Sequence, residues 1–219
     1  MCIRDRQQDW LEGLDDLDLR IVPVDNWSRD QVWPEIDIDW IAPSPNLATD
    51  NAALIYPGTV LFEATSISEG RGTDTPFLTI TAPWIDGDAL AAEMNGRQLE
   101  GVRFTAAVVT PRSIPQAAPS PRYLGQQLFG VQIEVTDPTV VRGFDVGLHL
   151  VDAVLRQGEV VGVSANQIID RPGVFDRLAG SARIRNDLVD ARSVVEMLDA
   201  LAADHAAFTE LAADALLYD

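Results

Sequence analysis

Lysine is absent from this chain: all 16 basic residues are arginine, set against 34 aspartates and glutamates, for a formal net charge of −18. Without a lysine there is no P-loop, whose phosphate contact depends on one. So acidic a balance argues against nucleic acid as a partner, since phosphate binding needs a basic face. It also disfavours anionic membrane surfaces. Long apolar runs are missing too: none approaches the roughly 20 residues of a membrane helix. There are only two histidines, His149 and His205, far apart and each in helix-like sequence, which is poor metal-ligand spacing. No Gly-x-Ser-x-Gly elbow is present to support a serine nucleophile. No cofactor is expected.

Cysteine is nearly absent. The one cysteine, Cys2, lies in MCIRDR, and Met1 to Arg6 match the translation of a transposase-type library adapter. These six residues are expected to be an adapter-derived scar. The natural sequence would then hold no cysteine over this stretch, leaving neither disulfides nor thiol chemistry. The chain would also be cut at its N-terminus, and any export signal lost with it.

What is present is a chain of 219 residues with 47% hydrophobic content, enough for one large domain or two small ones. Gln7 to Leu14 reads as the tail of a helix, and the alternating LDLRIVPV of Leu17 to Val24 as a strand. Trp27 to Ile41 reads as loop. PSPN, Pro43 to Asn46, is a turn whose two prolines fix φ. One helical turn over Asn51 to Leu54, a strand over Thr59 to Ala64 and a loop over Ser66 to Thr75 complete the first part. Strands follow at Phe77 to Ile80, Val102 to Val109 and Phe129 to Val135, with a helix around Asp88 to Met94 and a proline-rich loop from Pro111 to Pro121. Helical spacing marks Val146 to Leu155, Ser193 to Ala202 and Ala207 to Leu217. The expected class is α/β: residues 7–75 close an α/β domain, and 76–219 form a smaller α+β domain.

One stretch breaks the pattern around it. LFEATSISEGRGT, Leu61 to Thr73, sets Glu63 and Glu69 beside Arg71, between Gly70 and Gly72. GRGT is not a dinucleotide fingerprint, because Thr73, Asp74, Thr75 and Pro76 follow where a third glycine and a helix should come. Glu63 is expected at the C-terminal end of a strand, where open α/β sheets place their ligands. Paired carboxylates suit glycoside hydrolysis, one as acid and the other as base or nucleophile. The plainer alternative is that Arg71 pairs with Glu69 or Glu63 and fastens a loop.

The motifs together resemble those of the bacterial exo-β-N-acetylmuramidase family. WIAPSPN (Trp40 to Asn46), YPGT (Tyr56 to Thr59), EATSISEGRGT (Glu63 to Thr73), PF (Pro76, Phe77) and TAPW (Thr81 to Trp84) follow the family's order and spacing. GVQIEVTD (Gly130 to Asp137) and FDRLAGSARIR (Phe175 to Arg185) resemble later family segments. Departures are Ala64 and Thr81 in place of glycines and Ser66 in place of an asparagine. The resemblance implies a Rossmann-like domain followed by a smaller α+β domain. It also implies removal of N-acetylmuramic acid from the non-reducing end of peptidoglycan fragments, in the periplasm or outside the cell. Asn46, Glu63, Glu69, Arg71, Thr73 and Trp84 are the expected substrate contacts. Arg71 either binds the lactyl carboxylate of muramic acid or holds the two glutamates in position. The family's catalytic acid and base would fall in an upstream half, with Glu63 and Glu69 as weaker candidates, so this piece alone is expected to be inactive. The rival reading is a non-catalytic protein that binds peptidoglycan fragments on the same fold.

Overall fold

The structure, a computed structural model, describes Asp18, residues 20–213 and residues 216–218. The suspected scar and the helix expected over Gln7 to Leu14 lie outside the described residues. The chain divides into two compact units, Met1–Ile36 with Leu198–Asp219, and Asp37–Met197.

In the first unit the strand expected over Leu17 to Val24 does not form among the described residues, and Val22 is 90% exposed. Its alternation is real, but no strand lies alongside to take a ladder. The Val24 N–H instead donates to the Tyr218 hydroxyl at 2.6 Å, and the Trp27 ring meets the Tyr218 ring edge-on at 4.7 Å.

The second unit is built on a three-stranded antiparallel sheet of order β1-β3-β2, with β1 Thr79–Ala82, β2 Val102–Val109 and β3 Leu128–Val135. The helices of this unit are, in chain order, α1 (Asp50–Thr59), α2 (Gly87–Gly96), α3 (Gly143–Val160), α4 (Ala165–Ile168), α5 (Pro172–Ala179) and α6 (Ala182–Val189); α7 (Val194–Ala212) begins in this unit and runs for most of its length in the first. The class is mixed α/β, as expected. Thr49 and Asp86 cap α1 and α2, each accepting a backbone N–H. Phe62, Ile67, Ile80, Leu90, Leu128, Leu148 and Phe175 fill the core.

Of two expectations here one proves too short and the other fails, for one reason. The helical turn expected at Asn51 to Leu54 is a ten-residue helix that carries Tyr56, Pro57 and Gly58 inside it. The strand expected over Thr59 to Ala64 is a 3₁₀ turn, Val60–Ala64, that prolongs it. A proline late in a helix costs about 3 kcal/mol, and here packing overrides it. Gly58 of α1 meets Gly143 and Gly147 of α3 backbone to backbone: a Cβ on Gly147 would lie 2.3 Å from the Gly58 Cα. Side chains on either helix would forbid that approach. A buried apolar run such as VLF fits helix or strand equally, so periodicity could not decide.

The strand expected at Phe77 to Ile80 begins two residues later, because Phe77 has φ of +62° and no strand residue adopts it. The helices at 165–168, 172–179 and 182–189 were not foreseen, since each is too short for a clear apolar stripe.

Away from the sheet, Arg97 ties α2 to α3. It donates to His149 Nδ1 at 3.0 Å, to the His149 carbonyl at 3.1 Å and to Asp152 at 2.7 Å. A guanidinium only donates, so Nδ1 accepts and the neutral ring carries its proton on Nε2. Burial, then the Arg97 charge, hold the His149 pKa below its usual value, against the pull of Asp152 and Asp145. The unfolded chain therefore binds a proton that the folded chain refuses. This contribution to stability is complete above pH 6.5 and is lost as pH falls from there toward the lower folded value. Melting temperatures of the natural protein and of His149→Gln, compared across that window, should converge toward acid. A constant gap between the two curves would remove His149 from the acid response.

Candidate functional site

The GRGT stretch folds as a glycine-hinged loop against the proline-rich segment. Gly72 has φ of +81°, and a Cβ there would lie 2.6 Å from Cγ of Pro121. Gly70 is also left-handed, and between the two the chain turns the Arg71 side chain back over its own loop. Its guanidinium carbon stands 4.9 Å from the centroid of the Phe77 ring, a cation–π arrangement. The Phe77 N–H donates to the Glu69 carbonyl at 2.7 Å, and its ring meets Tyr56 of α1 edge-on at 4.8 Å.

Arg71 spans the two glutamates. Its Nη2 lies 2.7 Å from Oε1 of Glu63, and its Nη1 lies 2.7 Å from Oε1 of Glu69. The Glu69 side chain is 9% exposed and that of Glu63 28%, so this is a half-buried triad, not a surface pair. Burial works to lower the Arg71 pKa, but the hydrogen bonds it donates to Glu69 and Glu63, together with their charges, outweigh it and the net shift is upward. Tyr56 shifts upward as well, through burial and the neighbouring Glu63 charge.

The triad lines a cavity of about 410 Å³ with Ser120, Pro121, Arg122, Arg171 and Val174. That falls in the range of roughly 300–1,000 Å³ common for small-ligand sites. Glu63 reaches it from the 3₁₀ turn rather than from a strand end, which corrects the expected setting while leaving the residue at a ligand-sized opening. A larger cavity, about 530 Å³ beside α3 and α6, is lined by none of the residues singled out from the sequence.

Of the six expected contacts, Glu63, Glu69 and Arg71 come together; the other three stand elsewhere. The Asn46 side-chain amide donates to the Ala117 carbonyl at 2.8 Å and ties the PSPN turn to the proline-rich loop. Thr73 closes its own turn, its hydroxyl donating to the Gly70 carbonyl at 2.6 Å. Trp84 lies against Gly158 of α3, where a Cβ would come within 3.4 Å of its ring. Tyr123, in the YLG loop, donates to the Ser66 carbonyl at 2.7 Å, so position 66 serves the site through its backbone.

Arg122 and Arg171 were missed. Each adjoins a proline in a segment remote from GRGT, and only the fold brings them to the cavity. Arg171 is fixed by its N–H donating to the Ala64 carbonyl at 3.3 Å, just before Pro172 opens α5. Arg122 sits between Pro121, lodged under Gly72, and the anchored Tyr123. Among the described residues no cluster of three or more His, Cys, Asp or Glu side chains is arranged to hold a metal ion. No described helix is long and apolar enough to cross a membrane.

Two carboxylates joined by one guanidinium thus line a cavity of ligand size. Residues 54–218 match the C-terminal part of the exo-β-N-acetylmuramidase NamZ family and residues 4–51 its N-terminal part; the chain belongs to this family of glycoside hydrolases. The peptidoglycan β-N-acetylmuramidase NamZ of Bacillus subtilis strain 168 is 33% identical over 186 residues, which is 84% of this chain and 42% of that protein. Two solved structures of DUF1343 family proteins from Bacteroides fragilis share the fold. One has a TM-score of 0.76 at 22% identity over 88% of this chain and 49% of its own. The other has a TM-score of 0.58 at 24% identity over 82% and 44%. The chain thus spans less than half the length of the relatives it matches.

Proposed function

We propose that the natural protein hydrolyses the terminal non-reducing N-acetylmuramic acid from peptidoglycan fragments, and that the Glu63–Arg71–Glu69 cavity is one wall of its saccharide site. The observation that carries this reading is the cavity itself: in a chain of this family, the EATSISEGRGT motif lines a ligand-sized opening rather than a closed turn. Because both glutamates are bound to Arg71, their role is to hold acceptor oxygens at fixed positions for sugar hydroxyls. The acid and base that cleave the glycosidic bond are then supplied by residues outside this chain, and the chain alone is inactive. Such a substrate is met outside the cytoplasmic membrane, so the protein works in the periplasm or beyond the cell.

The test is an assay of a chromogenic N-acetylmuramide with the natural full-length protein and with the 219-residue chain, side by side over a range of pH. Turnover by the full-length protein and none by the chain is expected. Turnover by the chain would return Glu63 and Glu69 to the catalytic role. Tight saccharide binding with no turnover by the full-length protein would instead favour the non-catalytic binding protein.

A further inference from the structure

We propose that Arg122 and Arg171, both lining the cavity, form a carboxylate-binding subsite, and that it takes the lactyl acid of muramic acid. The proposal rests on the saccharide reading above and assigns the acid to these two residues rather than to Arg71.

Three arginines line the cavity, and they differ in what they already hold. Arg71 spends a separate Nη on each of two carboxylates at 2.7 Å, with its face over Phe77. An incoming anion at Arg71 would meet Glu63 and Glu69 first and be repelled. Among the described residues, the acid that Arg122 and Arg171 face is Asp170, at 3.6 Å and 3.8 Å, beyond hydrogen-bond distance. Those loose pairs are partly exposed, with the Asp170 side chain 36% accessible, so little is lost when a ligand carboxylate replaces them. Both guanidinium groups hang from fixed backbone, Arg171 through Ala64 and Arg122 through Pro121 and Tyr123.

The cavity lining therefore carries two glutamates already engaged by Arg71 and two arginines whose own ion pairs are loose. A neutral sugar has no preferred direction in such a field. One that carries a carboxylate on its ring has a single favourable orientation, acid toward Arg122 and Arg171 and hydroxyls toward Glu63 and Glu69. N-Acetylglucosamine lacks the lactyl group, so discrimination between the two amino sugars follows from this pair.

The experiment is calorimetric titration of the natural full-length protein with N-acetylmuramic acid and with its neutral lactyl amide. Charge-assisted hydrogen bonds predict at least about a tenfold preference for the acid. That preference should fall to about one in Arg122→Gln/Arg171→Gln. It should rise in Asp170→Asn, which removes the competing carboxylate and stands as an independent check if the double variant folds poorly. Equal affinity for acid and amide in the natural protein would overturn the subsite, as would a preference that survives the double substitution. An acid preference in a protein that does not hydrolyse the chromogenic muramide leaves the subsite standing and removes the enzyme. Hydrolysis without an acid preference does the reverse.

Discussion

Alanine at Gly147 is expected to destabilise the second unit by about 3 kcal/mol, the upper end for overpacking a rigid contact. The added Cβ would lie 2.3–2.5 Å from the Cα, C and O of Gly58, and these are backbone atoms that no rotamer change can move aside. Relief requires α1 and α3 to separate, and the 3₁₀ turn that carries Glu63 continues directly from α1. The same small change should therefore shift Glu63 relative to Arg71 as well as lower stability. Gly96, the last residue of α2, is the control, because nothing lies within 4 Å of a Cβ placed there. Gly96→Ala should gain up to about 1 kcal/mol from helix propensity alone. Urea unfolding of both variants decides the matter; a Gly147→Ala protein as stable as the parent would show that the helices do not meet on these glycines.

The second large effect is at Arg71. Its removal leaves Glu69, nearly buried, and Glu63, half-buried, close together with no cation between them. Breaking a fully buried pair costs about 3–5 kcal/mol and an exposed one about 0–1. The partial exposure here places Arg71→Ala between those limits, at about 2–3 kcal/mol. Lysine should not restore the loss, since one ammonium group cannot present two separated donors in a plane over the Phe77 ring. Removing all three charges together, as Glu63→Gln/Glu69→Gln/Arg71→Met, should recover much of the stability that Arg71→Ala loses. Full recovery of stability by Arg71→Lys would sink the spanning role. On the function proposed above, muramide hydrolysis by the full-length protein should fail in Arg71→Ala and in the triple variant alike.

The site was half legible in the sequence, and the division has a physical logic. Glu63, Glu69 and Arg71 lie within one short loop, so local spacing was enough to join them, and glycines on either side of Arg71 marked a tight turn. Phe77 could be matched by motif, but its left-handed backbone and its place beneath the guanidinium could not. Arg122 and Arg171 gave no local signal at all, because proximity between remote segments is a property of the fold. Asn46, Thr73 and Trp84 are not in the lining of that cavity; the structure shows Asn46 tying two loops, Thr73 closing its own turn and Trp84 packed on Gly158, and neither the Asn46 nor the Trp84 contact has a sequence-local signature.

The sheet read well where a β-rich run continues for eight residues, as in β2. It failed where apolar runs are short and buried on all sides, as in Val60 to Phe62. Proline and glycine in YPGT looked like stop signals because their usual meaning is local. Here Gly58 is a site of helix contact, and the contact prevails over the proline beside it.

Pro121 under Gly72, and Arg171 pinned to Ala64, have one more consequence. The cavity's three walls come from stretches of chain far apart in sequence, so none of it exists until all of those long loops have closed. Contacts of that kind form slowly and late in folding. Ligand binding in a refolding experiment should therefore appear as the last signal, after helix and sheet are complete, and would serve as a clock for the final step.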